Sequence, residues 1–186
     1  GWLCFDATYR LGPDARGPDW IADVLRMIAW VREHAAEHGG DPGRIAITGR
    51  SAGGHLAALA ALTHDDPAFK PGFEYADCSV AAAVPVYGRY DFLDRNDRLK
   101  GNKSAVIDKY MAVKVIPGSP DSCPELWHAV SPLDRVHADA PPMLIVNGTG
   151  DTMLPWKDAS HIGEQLRAKS RAPVQCIALP GIQHAC

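Results

Sequence analysis

No stretch of this sequence reaches the roughly 18 consecutive apolar residues that a membrane span requires. Its most apolar stretches are interrupted by charge, Gly or Pro. There is no Cys-x-x-Cys pair and no Cys/His ligand spacing among the five cysteines Cys4, Cys78, Cys123, Cys176 and Cys186, which argues against structural zinc. The thiols read instead as buried or incidental in a reducing compartment, which favours the cytoplasm. Long runs of one charge are also missing, and 19 basic against 22 acidic residues leave a formal charge of -3. That balance argues against nucleic acid or an anionic membrane surface as the main partner. Neither an internal repeat nor a low-complexity segment occurs. An initiator Met is lacking too: the chain opens on the strand-like Gly1-Trp2-Leu3-Cys4-Phe5 and stops at Cys186. It therefore reads as cut at both ends, with any targeting signal outside these limits.

What is present is a globular composition, 46% hydrophobic and 22% charged over 186 residues, enough for one domain with a sizeable core. Residues 2–9 read as a strand before a Gly-Pro turn. Pro18 can open a helix whose face is Ile21, Val24, Leu25 and Ile28, spaced i, i+3, i+4, i+7, and which ends near Gly39-Gly40. A strand at 44–48 follows, then the small-residue turn Gly49–Gly54, an alanine-rich helix over 55–62 and a strand over 80–87. This alternation predicts an α/β fold with a mostly parallel sheet and helices on both faces. The stretch from about 88 to 137 is far longer than an ordinary loop and reads as an insertion over the sheet edge, with a short helix near 105–115. The pattern returns with a strand at 142–147, a helix after Pro155 carrying Ala159, Ile162 and Leu166 on one face, and a strand at 174–179. A single domain over 1–186 is the economical division.

The strongest local signal is Gly49-Arg50-Ser51-Ala52-Gly53-Gly54, a serine between small residues after a strand and before a helix. So tight a reversal needs small neighbours and puts the serine in a strained conformation at a helix N-terminus, where free N–H groups favour an oxyanion. A serine hydroxyl needs a base. Of eight histidines, His184 follows a strand through a Pro-Gly turn on the sheet edge to which the elbow points. His34 and His38 read as solvated, and His55 and His64 as structural. Asp151, after a strand and the turn Gly148-Thr149-Gly150, is the candidate orienting acid; as an alternative it is a turn or cap residue. The order Ser51, Asp151, His184 is the one found in α/β-hydrolases.

These segments together resemble the hormone-sensitive-lipase-like branch of the α/β-hydrolases, in particular bacterial carboxylesterases. The resemblance rests on Asp6–Leu11, Gly39–Pro42 with Arg44-Ile45, Ser51–Gly54, Asp151–Pro155 and Gly181–Ala185, and it covers nearly the whole chain. Arg50 departs from it, standing where the family often has Asp. The family's His-Gly-Gly-Gly oxyanion loop is not within these residues and would precede Gly1, so Ala52, with Gly53 assisting, is what this chain offers to an oxyanion. In the family's sheet the strand before that loop separates the two strands corresponding to 2–9 and 44–48, so these two should not pair directly.

The resemblance implies a serine hydrolase that cleaves carboxylic esters of short or medium acyl chain through an acyl-enzyme. No metal or organic cofactor is implied, the partner is a small-molecule ester, and a homodimer is left open. Tyr87, Tyr90 and Trp127 are candidate pocket linings or, equally, core residues. The alternatives are an amidase such as an arylformamidase with the same triad and, from another class, a non-catalytic ligand-binding relative.

Overall fold

The structure, a computed structural model, describes residues 1–12, 14–95, 109–111 and 115–184. Four strands, β1 (Ala46–Arg50), β2 (Ala82–Val86), β3 (Met143–Gly148) and β4 (Val174–Leu179), form one sheet in the order β1-β2-β3-β4. All three pairings are parallel. The helices are α1 (Asp19–His34), α2 (Ala52–Thr63), α3 (Pro124–Ala129) and α4 (Trp156–Lys169), with short 3-10 turns at Ala35–His38, Pro67–Phe69 and Pro132–Arg135. The helix expected near 105–115 lies largely outside the described residues.

The register decides where the chemistry can occur. Arg50 pairs with Val86, Val86 with Val146, and Gly148 with Leu179, so the carboxyl ends of all four strands finish almost level. The turns after them therefore gather along one edge, where parallel α/β sheets place their ligands. Along the strands burial alternates as side chains alternate between faces. Ala83, Met143 and Ile145 are buried under the helices, whereas Val84, Val86, Leu144 and Val146 on the opposite face are only half-buried.

Helix α1 buries Ile21, Val24, Leu25 and Ile28, the face its spacing predicts. Each such side chain contributes about 1.5–3 kcal/mol when fully removed from water. Helix α2 is buried on nearly every side, from Gly54 to Thr63, because it lies between β1 and β2 beneath it, α1, and the Pro132–Arg135 turn. Its alanines suit that position, since small side chains allow close packing without excluding neighbours. At the far end of α1, the Arg32 guanidinium donates to the carbonyls of Pro42, Asp77 and Ser79, which ties the loops entering β1 and β2 to the helix.

Residues 2–9 do not form the expected strand. They have no ladder partner among the described residues and run along α1 instead. Phe5 packs edge-on against Trp30 and His38, Tyr9 lies against the core, and Arg10 pairs with Asp23 at 2.8 Å. A strand is defined by its neighbour, and β-favouring residues without one adopt whatever side-chain contacts are at hand. The expectation that this segment would not pair with β1 holds.

Among the buried ionisable groups behind the sheet's carboxyl edge, which include Arg89 and Asp91, His55 and Asp158 are strongly shifted. His55, in the first turns of α2, lies between Trp20 and Phe92, and its Nε2–H donates to Val130 O at 2.8 Å. Burial lowers its pKa from 6.5 to about 4, despite the opposing hydrogen bond to Val130. Asp158 on α4 accepts from the Tyr90 N–H at 2.7 Å, and burial raises its pKa from 3.8 to about 7. The signs oppose each other. The unfolded chain protonates His55 first, so its contribution to stability declines as the pH falls from 6.5 towards 4. The native state holds the Asp158 proton longer, so that contribution is complete below about pH 4 and is lost as the pH rises to about 7. Each slope reaches about 1.4 kcal/mol per pH unit at most. Asp158→Asn should remove one of them. The stability of the natural protein relative to this variant should then increase by on the order of 1 kcal/mol for each unit of acidification between about pH 6.5 and pH 4.5. Thermal melting of both proteins across that range measures it, and parallel curves would refute it.

Candidate active site

Ser51 stands between β1 and α2 with φ 54° and ψ -117°, a region that non-glycine residues rarely occupy. Its N–H donates to Val86 O at 3.1 Å, which pins the turn to the neighbouring strand. The glycines around it have unequal duties. A Cβ at Gly49 would lie 2.3 Å from Gly53 O, and one at Gly54 would lie 2.5 Å from Val86 O. Strand and helix can approach only because both are bare. Gly53, the second glycine of the motif, would meet nothing within 4 Å. On the helix side the glycine demanded by packing is thus Gly54, one residue beyond the motif.

The Ser51 hydroxyl is 2.9 Å from His184 Nε2, and His184 Nδ1 is 2.8 Å from Asp151 Oδ2. The Asp151 side chain is wholly buried, and His184 is only partly exposed. With Nδ1 protonated, the imidazole donates to Asp151 and leaves Nε2 free to accept from Ser51. The other carboxylate oxygen, Oδ1, accepts from the N–H groups of Met153 and Leu154, both at 2.8 Å. Asp151 is therefore a turn residue and the partner of His184 together, one oxygen serving each purpose.

The last turn reaches the site because glycines allow it. Gly148 and Gly150 lie beneath the 181–183 segment, and a Cβ at Gly148 would be 2.0 Å from Ile182 O. Gly150 N–H donates to Ile182 O at 3.1 Å, and Gly181 N–H donates to Thr149 Oγ1 at 2.9 Å. These bonds fasten the turn before His184 to the turn bearing Asp151. Ala52 and Gly53 occupy the first turn of α2, where N–H groups have no intrahelical acceptor and the helix dipole is positive. Ala52 is an exposed residue directly after Ser51.

The other predicted neighbours sort differently. Tyr90 and Trp127 are fully buried members of the hydrophobic core. Tyr87 is also buried, but its ring meets His184 edge-on with centroids 4.8 Å apart. His128 is engaged with Asp134 and His161 with Glu164, while His34 stacks on Trp30. Arg50 is exposed at the end of β1. Among the described residues no group of three or more His, Cys, Asp or Glu could hold a metal ion, and no helix is long and apolar enough to cross a membrane.

The BD-FAE family model matches residues 1–166, which include Ser51 and Asp151. The chain belongs to the BD-FAE family. This family lies within the hormone-sensitive-lipase-like esterases, and the fold is that of the α/β-hydrolases. Curated relatives from Mycobacterium tuberculosis include the probable carboxylic ester hydrolase LipM, 43% identical over 100% of this chain and 42% of its own length. The esterase LipQ is 42% identical over 100% of this chain and 43% of its own length. The chain thus spans less than half the length of these relatives. Among solved structures, esterase 2 of Thermogutta terrifontis with bound propionate superposes with TM-score 0.69 at 27% identity, covering 92% of this chain and 57% of that one. A truncated carbohydrate esterase from gut microbiota superposes with TM-score 0.72 at 27% identity, covering 92% of this chain and 63% of that one.

The unequal glycines give a test. Gly49→Ala and Gly54→Ala should each destabilise the protein by about 1–3 kcal/mol or more, since a Cβ would press on backbone rather than on a movable side chain. Gly53→Ala should be neutral or stabilising by up to about 1 kcal/mol, because alanine is the better helix former. Chemical denaturation of the three variants decides the matter. Equal losses in all three would show that the clearance at Gly53 is misjudged.

Proposed function

We propose that the protein is a serine hydrolase that cleaves carboxylic esters of short or medium acyl chain. The observation that carries this reading is the unbroken run of hydrogen bonds from Ser51 Oγ through His184 to Asp151, at 2.9 and 2.8 Å. The mycobacterial relatives, which carry the names esterase and carboxylic ester hydrolase, support it.

Ser51 Oγ attacks the ester carbonyl carbon while His184 Nε2 takes its proton. Asp151 stabilises the imidazolium through Nδ1–H, and its own bonds to Met153 and Leu154 hold it in position. The carbonyl oxygen becomes an oxyanion and accepts from the Ala52 N–H, with Gly53 assisting from the same turn. When the tetrahedral adduct collapses, His184 returns the proton to the departing alkoxide and the acyl group remains on Ser51. A water molecule, deprotonated by His184, then attacks the acyl carbon. The second collapse restores the serine and releases the carboxylic acid.

In the full-length protein, Ser51→Ala and His184→Ala should each lower turnover by several orders of magnitude. Asp151→Asn should also reduce turnover while leaving the fold in place, and His161→Ala should be mild. Nitrophenyl-ester hydrolysis and labelling by a fluorophosphonate probe measure these effects. Near-normal turnover in His184→Ala would dismiss the assignment of the base. A matched anilide hydrolysed faster than its ester would make the protein an amidase, and failure of the probe to label Ser51 would favour a binding role.

A further inference from the structure

Three described residues other than glycine have positive φ, and two of them, Ser51 at 54° and Tyr87 at 38°, directly follow the neighbouring strands β1 and β2. Both touch His184, Ser51 by its hydroxyl and Tyr87 by its ring. A bulky residue enters this region only where its surroundings over-determine it, and such residues concentrate at functional sites. Tyr87 is over-determined. Its N–H donates to Val146 O at 2.7 Å, and the residue is only 4% exposed. The next residue, Gly88, donates to Tyr90 Oη at 3.2 Å.

The segment behind it is fixed as firmly. The Tyr90 N–H donates to Asp158 Oδ2, and Tyr90 O accepts from Ser131 Oγ at 3.1 Å and from Leu133 N at 2.9 Å. The Phe92 N–H also donates to Ser131 Oγ, at 3.2 Å. Through Asp158 this network is joined to α4, the helix that begins just after the Asp151 turn. Tyr87 and Asp151 therefore approach the imidazole from elements that are locked together.

Two hydrogen bonds, one at each ring nitrogen, tolerate a range of ring tilts, because the His184 side chain can still rock about its Cα–Cβ and Cβ–Cγ bonds. A ring packed edge-on at 64° restricts that tilt. We propose that Tyr87 is a positioning residue whose aromatic ring, held by the buried network behind it, keeps the His184 imidazole in the one orientation that joins Ser51 to Asp151. The inference rests on the hydrolase reading above. It needs the ring and not the hydroxyl, which makes Phe the conservative replacement.

The test compares Tyr87→Phe, Tyr87→Leu and Tyr87→Gly in the full-length protein with nitrophenyl acetate, measuring kcat, KM and the pH profile. Leu fills space without an aromatic ring, while Gly relieves the positive φ and leaves the space empty. Phe should remain within about two-fold of the natural enzyme. Leu and Gly should each lose about 10–100-fold in kcat with little change in KM, as a misplaced catalytic group does. The acidic limb of their profile, which reports the imidazole, should be displaced, while that of Phe stays. Natural kcat and profile in Leu and Gly would overturn the proposal. So would a loss confined to KM, which would mark a pocket wall, or a loss in Phe as large as in Leu. One measurement needs no folded variant of Tyr87. In the natural protein, the imidazole protons that vanish in His184→Ala should show nuclear Overhauser contacts to the Tyr87 ring, and their absence would overturn the proposal too. Undiminished turnover in Ser51→Ala would instead remove the hydrolase reading itself, a result separable from any behaviour of the Tyr87 variants.

Discussion

Everything at this site depends on how closely α2 can approach the ends of β1 and β2. The approach is set by backbone meeting backbone at Gly49, Gly54 and Gly88, where a Cβ would fall 2.3 to 2.7 Å from main-chain atoms. Because strand and helix are in contact there, the residue between them has no room for ordinary φ and ψ, and Ser51 is driven to φ 54°. That strain is useful. It projects the hydroxyl beyond the sheet edge and leaves the first N–H groups of α2 beside it, so the proposed nucleophile and the proposed oxyanion donors come from one turn. The strain is borne by the packing of α2, which is buried along almost its whole length.

The same device recurs at the other end of the sheet. Gly148 and Gly150 allow the 181–183 segment to lie directly on the Asp151 turn, which brings His184 to the carboxylate. Ser51 and His184 thus owe their places to glycines at which a Cβ would strike backbone. Between the two ends, Tyr87 and the bonds around Asp158 and Ser131 fill the edge with a rigid polar network rather than a flexible loop. Buried polar groups are costly unless satisfied, and when satisfied they fix one arrangement. Here the arrangement joins the end of β2 to α4.

Much of this was legible in the residues alone, for reasons that can be named. A helix that buries one face must repeat every three to four residues, and Ile21, Val24, Leu25 and Ile28 did so; they are buried as that spacing requires. Ser51, Asp151 and His184 could be singled out because each follows a strand at a turn, rich in small residues for Ser51 and Asp151 and a Pro-Gly turn for His184. In a parallel sheet all such turns share an edge, which makes sequence order a guide to spatial proximity. The strand expected at 2–9 shows where such reasoning stops. Its composition suits a strand, but pairing is a property of two segments, and in this structure Phe5 and Arg10 have partners on α1 instead.

The sequence by itself determined the four strands of the parallel sheet, the helices α1, α2 and α4, and which serine, aspartate and histidine would converge, because these follow from local periodicity and turn chemistry. Only the tertiary structure decided which glycines are indispensable, since clearance at Gly54 but not at Gly53 depends on how far away Val86 O and Gly88 N lie. It alone separated Tyr87 from Tyr90 and Trp127, three aromatics that look alike in the chain. Two belong to the core, and one rests against the imidazole. The difference lies in the register of the strands and the direction of one strained turn. Both are set by contacts between residues far apart in the chain, which no local pattern encodes.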